Sequence, residues 1–224
     1  LKCITSLSEF LIFVIYFVQC VNEWGSVVHL AQFARWYADR FGTQPYLPVD
    51  SSDFRAFARR VARVGRSHQV VVVSGSAGVG KSVLARWLHY EGSTRESRIH
   101  VIPGSLADGA TLHARLEGEV DHTLLIEGVE ELDHEAQVAL AAHLEEHRTM
   151  GADAPRLIVT SECGLAEAAN EGSLRRDLAR QLDRLALFVP PLRQAVGLVE
   201  SLIRMAGLDW PVPFVGRSCH WKGC

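Results

Sequence analysis

The sequence predicts an α/β domain in which a parallel β-sheet is covered by helices. The first observation is residues 70–73, four consecutive valines, which are typical of a strand that is buried on both faces. The second is the alternation, after this strand, of short apolar runs with stretches of helical periodicity. Because a chain of 224 residues, about half of them apolar, can bury a core, one such domain with short appendages is expected.

Two helical stretches precede this strand. Residues 27–41 have the periodicity of a helix, and residues 42–49 contain two prolines and are typical of a linker. Residues 51–53, Ser-Ser-Asp, favour a helix start, and this second helix is expected to run through residue 64. Its apolar positions at helical spacing are Phe54, Phe57, Ala58, Val61 and Val64.

A glycine-rich turn follows the buried strand with the spacing Gly-x-x-x-x-Gly-Lys-Ser, the phosphate-binding P-loop (Walker A) pattern. In this pattern backbone N–H groups wrap the α- and β-phosphates, the lysine holds the β- and γ-phosphates, and the serine hydroxyl binds Mg²⁺. The helix expected at residues 83–90 adds the positive end of its dipole. The sequence therefore predicts a site for ATP and Mg²⁺. Its nucleotide-binding residues are Gly75, Ser76, Ala77, Gly78, Val79, Gly80, Lys81 and Ser82.

A second segment of the site is the apolar strand at residues 123–127, which ends in an acid and has the form of a Walker B segment. An acid at the carboxyl end of a neighbouring parallel strand is placed to hold Mg²⁺, directly or through water. Glu127 is therefore predicted to share the metal ion with Ser82 and to belong to the catalytic residues.

The remaining segments complete the alternation. The other strands are expected at residues 99–102, 157–160 and 185–189, and the other helices at residues 108–116, 134–147, 174–184 and 193–205. Ser161 and Glu162 follow one of these strands and are expected at the carboxyl edge of the sheet, where ligands bind in such folds.

Five motifs occur together over about two-thirds of the chain. They are Phe54-Arg55-x-Phe57-Ala58, Gly80-Lys81-x-x-Leu84-Ala85-Arg86-x-Leu88-His89, the run from Thr123 to Leu132, Leu174-Arg175-x-Asp177-Leu178, and Val189-Pro190-Pro191-Leu192-Arg193. In this order they resemble the AAA+ domain of bacterial sigma-54-dependent transcriptional activators, in a degenerate or truncated form. The resemblance implies a three-layer P-loop NTPase fold with the start of a helical lid, assembly into a homo-oligomeric AAA+ ring, and contact with the sigma factor of RNA polymerase.

This resemblance and the composition together divide the chain into three parts. Residues 1–50 are expected to be a hydrophobic and helical N-terminal segment with a linker, and residues 51–191 the AAA+ P-loop nucleotide-binding domain. Residues 192–224 are expected to contain a partial lid helix and an irregular tail.

The sequence departs from the family at positions whose side chains take part in ATP hydrolysis in the family. The family's Walker B segment ends in Asp-Glu, whereas this chain has Glu127-Gly128, and glycine cannot polarise the attacking water. Glu130 or Glu131 could substitute only if the loop after the strand swings one of them back. If the rest of the site is intact, a Gly128→Glu substitution is therefore expected to raise the hydrolysis rate, with Gln181 as a remaining limit. The family's sensor strand ends in Thr-Asn, where this chain has Ser161-Glu162.

Further departures concern contacts between molecules. In the family two arginines reach the nucleotide of a neighbouring subunit; Arg175 matches the first and is the second predicted catalytic residue, whereas Gln181 stands at the other place. The Gly-Ala-Phe-Thr-Gly-Ala loop that contacts the sigma factor is absent between residues 102 and 120. No helix-turn-helix pattern follows Met205, so DNA binding is not expected of this chain.

These observations favour an ATP-binding AAA+ module of transcription regulation with weak or no hydrolysis. One alternative is an active P-loop ATPase of another branch, such as a signalling switch. Another is a nucleotide-gated module that does not hydrolyse ATP and acts by contacting a regulatory protein.

Composition and the N-terminal run bear on location. A net charge of −3 argues against a globally basic nucleic-acid binder. The apolar run at residues 10–18 is short for a membrane-spanning helix, which needs about 20 residues, so a peripheral helix or a non-native leader is expected, with a membrane anchor as the alternative. Five scattered cysteines do not indicate a disulfide framework, and a cytoplasmic location is expected.

Overall fold

A parallel β-sheet of five strands organises the part of the chain that the structure describes. This computed structural model describes residues 28–45, 47, 52–67, 70–92, 95–117, 122–150, 155–183 and 186–189. The strands are β1 (Val70–Ser74), β2 (Arg98–Pro103), β3 (His122–Glu127), β4 (Arg156–Ser161) and β5 (Ala186–Phe188). The helices are α1 (residues 28–41), α2 (Ser52–Ser67), α3 (Lys81–Glu91), α4 (Gly109–Leu116), α5 (His134–Met150), α6 (Leu165–Glu171) and α7 (Arg176–Asp183), with short 3₁₀ turns at Gly104–Leu106 and Val129–Glu131.

The strand order across the sheet is β2-β3-β4-β1-β5, and every adjacent pair is parallel. Strand β4 lies between β1 and β3, with Ser161 opposite Ser74 and Val159 opposite Ile126. The carboxyl ends of these three strands therefore share one edge of the sheet. The expectation that the strand ending in Glu127 neighbours β1 is wrong, because β4 separates them.

Helices cover both faces of the sheet, as the alternation of segments predicts. Since successive strand residues point to opposite faces, Val72 and Leu124 belong to one apolar cluster and Val71 and Leu125 to another. Helices α4 to α7 contribute side chains to the first cluster, and α1 to α3 contribute to the second. The predicted three-layer α/β architecture with a parallel sheet is confirmed.

Helix α6 is an element that the sequence pattern did not predict. It lies between Gly164 and Gly172, and Gly172 has a positive φ of 83°. A left-handed glycine directly after a helix is a common stop signal, so this residue was the available indication. The helix expected at residues 174–184 is α7, which begins only at Arg176.

Several expected segments lie outside the described residues. They are the apolar run at residues 10–18, the helix at residues 193–205, with which the lid was expected to begin, and the irregular tail up to residue 224. Within the described residues, none of the helices has the length and apolar character needed to cross a membrane.

Helix α1 packs on α3, the helix that begins at Lys81. The fully buried side chain of Phe33 stacks on Trp87, with ring centroids 5.3 Å apart. Nearby, Arg86 donates through Nη1 to the hydroxyl of Tyr37 at 3.0 Å. Because aromatic side chains bury a large apolar area, this contact fixes α3 from the side of α1 while α3 also contacts the sheet.

A buried histidine lies near the carboxyl end of α3. His89 is fully buried, and its Nδ1 lies 2.7 Å from the hydroxyl oxygen of Thr123 on β3. Burial, followed by the positive charges of Arg40 and Arg156, lowers the pKa of His89 to about 4. The imidazole is therefore neutral in the folded protein at neutral pH.

The packing of α1 on α3 predicts that Phe33→Ala lowers the free energy of unfolding by about 3 to 5 kcal/mol, the usual cost of truncating a buried phenylalanine. Chemical denaturation followed by circular dichroism measures the change. Val28, which is 52% exposed on the same helix, supplies the matched control, and Val28→Ala should change stability by less than about 0.5 kcal/mol. Equal stability of the two variants would contradict the packing of α1.

The neutral state of His89 predicts a loss of stability in mild acid. An unfolded histidine titrates near pH 6.5, so between about pH 6.5 and pH 4 the unfolded chain binds a proton that the folded chain does not. This contribution to stability is fully present above pH 6.5 and falls with pH, by about 2 kcal/mol at pH 5.

His89→Asn removes this titration, so the free energy of unfolding should depend less on pH between 7.5 and 5 than that of the unsubstituted protein. Denaturant unfolding at several pH values measures the slope. The control is His134→Asn at an exposed position of α5, which should keep the original pH dependence. An unchanged slope in His89→Asn would show that this histidine is not the group responsible.

Candidate nucleotide-binding site

The loop between β1 and α3 depends on three glycines. Gly78 and Gly80 have positive φ values of 77° and 90°, a conformation that side chains other than glycine rarely adopt. Gly75 is required for a different reason, because a Cβ there would lie 2.8 Å from the carbonyl oxygen of Val189. The chain beyond β5 is tied to the same place, since Val189 N–H donates to the carbonyl of Ser74 at 2.8 Å. The predicted order of strand, glycine turn and helix start is present.

The first turn of α3 is suited to an anion. Gly80 is its N-cap and offers no side-chain hydrogen bond, and the first turn contains no acidic residue. The N–H groups at a helix start lack partners within the helix and carry its positive dipole end. Ser76, Ala77 and Gly78 are exposed, so a ligand can reach this turn.

Lys81, the first residue of α3, has a nearly buried side chain. Its Nζ donates to the carbonyl oxygen of Ser76 at 3.0 Å, within the loop itself. It also lies 3.4 Å from Oε1 of Glu162, just beyond the end of β4. The sequence placed Glu162 at this edge but gave no indication of its contact with Lys81, which depends on the position of β4 beside β1.

Glu130 holds the backbone of Glu162 in place. Its Oε1 accepts a hydrogen bond from the Glu162 N–H at 2.6 Å, and its Oε2 is buried with no hydrogen-bond partner among the described residues. The loop after β3 thus does bring Glu130 back to the sheet edge, where its carboxylate contacts the end of β4.

Gly128 makes this return possible. It has a φ of 75°, and its N–H lies 3.2 Å from both the carbonyl and the hydroxyl oxygen of Thr160. A Cβ at this position would meet the side chain of Glu131 at 3.2 Å. Gly128→Glu would therefore strain the turn itself, which opposes the expected gain in hydrolysis rate.

Glu127 ends β3 on the same edge, with one strand between it and the glycine loop. Its Oε1 is buried and has no hydrogen-bond partner among the described residues. Within those residues no group of three or more His, Cys, Asp or Glu side chains could hold a metal ion. A Mg²⁺ ion here would depend on ligands from a bound phosphate chain, which is the usual arrangement for this cation.

The described hydrogen bonds that Arg175 donates go to Asp177 and Gln137, and none goes to the glycine loop. It lies just before α7, and its guanidinium makes two hydrogen bonds to Asp177, at 3.1 and 2.7 Å. This bidentate hydrogen bonding lowers the pKa of Asp177 to about 2 and raises the pKa of Arg175. The backbone N–H of Arg175 donates to Gln137 at 2.8 Å, so both its main chain and its side chain are fixed. Gln181, on α7, carries no charge and has a buried Oε1 without a partner among the described residues.

Comparison with known proteins gives the family. The profile of the family described as "Sigma-54 interaction domain" matches residues 50–192. The acetoin dehydrogenase operon transcriptional activator AcoR of Bacillus subtilis is 25% identical over 230 residues, covering 91% of this chain and 36% of that protein. The DNA-binding transcriptional regulator NtrC of Bradyrhizobium is 30% identical over 172 residues, covering 65% of this chain and 36% of that protein. The chain thus spans little more than a third of these curated relatives.

Solved structures agree in fold. NtrX from Brucella abortus in complex with ADP has a TM-score of 0.56 and 18% identity, and the match covers 91% of this chain and 52% of that one. Its complex with ATP gives a TM-score of 0.53 and 19% identity, with coverage of 70% and 43%. The sheet and its helices have the three-layer α/β fold of AAA+ P-loop NTPases. The family match extends over more than half of the chain, and this chain belongs to the sigma-54 interaction domain family, the AAA+ domain of sigma-54-dependent transcriptional activators.

Proposed function

We propose that this domain binds ATP with Mg²⁺ and hydrolyses it slowly or not at all, as a nucleotide-dependent module of transcription regulation. The observation that carries the proposal is the glycine loop, in which two left-handed glycines precede a helix start and a nearly buried lysine. Backbone N–H groups and an ammonium converge there, which is the chemistry that a polyphosphate requires. Family membership and the fold shared with NtrX support the same conclusion.

Each predicted residue has a place in this proposal. The backbone from Gly75 to Ser82 wraps the α- and β-phosphates, and Lys81 binds the β- and γ-phosphates. The Ser82 hydroxyl and the orphaned Oε1 of Glu127 are the protein ligands proposed for Mg²⁺. A bound Mg²⁺ would neutralise phosphate charge.

Slow hydrolysis is proposed because the chain has other residues where the family has a catalytic acid and a second arginine. Gly128 has no side chain to polarise water, and Oε1 of Glu130 already accepts a hydrogen bond from the N–H of Glu162. A positioned base contributes about 10²- to 10⁴-fold to a rate, and an arginine finger about 10³-fold or more. With Gln181 in place of one of the family's two arginines, the chain lacks the positioned base and one arginine, while Arg175 keeps the place of the other.

Contacts with other molecules are part of the proposal. Arg175 is rigidly held by Asp177 with about a third of its side chain exposed, which suits a residue that reaches the γ-phosphate of a neighbouring subunit in a homo-oligomeric ring. The family name points to RNA polymerase sigma factor as a partner. Because the Gly-Ala-Phe-Thr-Gly-Ala loop is absent from residues 102–120, we favour another regulatory protein as the contact of this segment.

Lys81→Ala should weaken binding of a fluorescent ATP analogue by at least about tenfold, because a hydrogen-bonded charge is lost from the phosphate site. Fluorescence titration in the presence of Mg²⁺ measures the affinity, and circular dichroism checks that the fold is kept. Arg115→Ala removes an exposed cation from α4 and should bind the analogue like the unsubstituted protein. If Lys81→Ala also bound it with unchanged affinity, the assignment of the loop would be wrong.

Steady-state phosphate release should stay well below about 1 per second, the lower end of typical enzyme rates, with and without DNA. The assay is run at protein concentrations high enough for oligomers to form. Turnover at that rate or faster, abolished by Lys81→Ala, would refute slow hydrolysis and favour the alternative of an active ATPase. Glu130→Gln and Glu131→Gln would then identify the acid that serves as base.

A further inference from the structure

We propose that the Glu162 carboxylate competes with the terminal phosphate of ATP for Lys81. The site then favours ADP over ATP more than it would with a neutral residue at position 162. The proposal rests on nucleotide binding at the glycine loop and adds a residue that determines which nucleotide is favoured. Glu162 would act by its charge, without any part in bond breaking.

The first support is the contact itself. Oε1 of Glu162 lies 3.4 Å from Nζ of Lys81, and the only other partner of that ammonium among the described hydrogen bonds is the carbonyl of Ser76. The lysine side chain is 10% exposed whereas the glutamate side chain is 57% exposed. The ammonium is therefore nearly buried, whereas the carboxylate in contact with it is largely exposed to solvent.

The second support is that the backbone of Glu162 is fixed on both sides. Ser161 before it is buried and its carbonyl accepts the N–H of Gly75 at 3.1 Å. The N–H of Glu162 donates to Glu130 at 2.6 Å, and the Ser161 hydroxyl donates to the Cys163 carbonyl at 2.9 Å. The backbone of Glu162 is thus held at the sheet edge, within reach of Lys81 for its side chain.

The charge argument gives the direction of the effect. A lysine at this place in the loop binds β- and γ-phosphate oxygens, so a carboxylate in contact with it lies close to where the terminal phosphate must sit. Like charges at such distances disfavour binding, and ATP brings one more charged phosphate to this spot than ADP. Because Glu162 is more than half exposed, water weakens the effect, and we expect a change of about threefold to tenfold in ATP affinity.

Isothermal titration calorimetry of the full chain with Mg-ATP and Mg-ADP tests the proposal. Glu162→Gln keeps the shape and removes the charge, so it should tighten ATP binding by about threefold to tenfold and ADP binding by a smaller factor. Glu162→Asp keeps the charge and should retain the preference of the unsubstituted protein. High salt should reduce the difference between Glu162→Gln and the unsubstituted protein, because it screens exposed charges.

Glu117→Gln is the matched control. Glu117 is 64% exposed, and its Oε1 lies 3.2 Å from Nε2 of His113 on α4. Glu117→Gln therefore changes the net charge as much as Glu162→Gln does, without removing a partner of Lys81. Both affinities should be unchanged in this variant. A thermal unfolding scan of each variant confirms that the fold is kept.

The outcomes separate the two proposals. If Glu162→Gln binds ATP no more tightly than the unsubstituted protein, or changes the two affinities by the same factor, the competition is wrong and nucleotide binding at the loop stands. If neither the unsubstituted protein nor Glu162→Gln binds any nucleotide, the proposed function is wrong and the competition falls with it.

Discussion

The pairing of β4 between β1 and β3 is the constraint on which the whole candidate site depends. Two backbone hydrogen bonds extend this pairing beyond the strands, from Gly75 N–H to the Ser161 carbonyl and from Gly128 N–H to the Thr160 carbonyl. Both loops of the site are thus anchored to the last residues of one buried strand. Since all six residues of β4 are buried, apolar packing on both faces of the sheet supports the geometry of polar groups at its edge.

The second acid at this edge of the sheet is Glu130, two residues after Gly128. The Walker B segment of the family has its second acid directly after the first, whereas here the left-handed Gly128 turns the chain so that Glu130 reaches β4. Glu130 then contacts the backbone of Glu162, and Glu162 contacts Lys81. The nearly buried Lys81 is therefore linked to Glu130 through Glu162, whose carboxylate contacts the ammonium and whose backbone N–H donates to Glu130.

Much of the fold was predictable, because its central parts leave strong signals. Four valines in succession have few alternatives to a buried strand, and glycines at fixed spacing before a lysine indicate the loop that the structure contains. The short helix α6 was missed because seven residues rich in alanine and glutamate have weak periodicity, and its main signal was the glycine after it.

The site was less predictable than the fold. Glu127, Lys81 and Glu162 were each placed at the carboxyl edge from the sequence, but the order of the strands determines which of them meet, and single-sequence periodicity does not contain that order. Gly128 likewise combines a positive φ with hydrogen bonds from its N–H to Thr160 across the sheet, contacts that the sequence pattern does not contain. Gly128→Glu would restore the family's acid in the sequence, but it is strained in the structure for this reason.

The close approach of Gly75 to Val189 couples the glycine loop to the chain that follows β5. Gly75, the first residue of the glycine loop, lies so close to Val189 that a side chain at position 75 would collide with the Val189 carbonyl oxygen. The N–H of Val189 also donates to the carbonyl of Ser74, the residue before the loop. The loop cannot change its path without a response from the chain at residue 189. Under the proposed nucleotide binding, linkage makes this coupling reciprocal: the free energy that the chain at residue 189 contributes to phosphate affinity equals the free energy by which a bound phosphate shifts the arrangement of that chain.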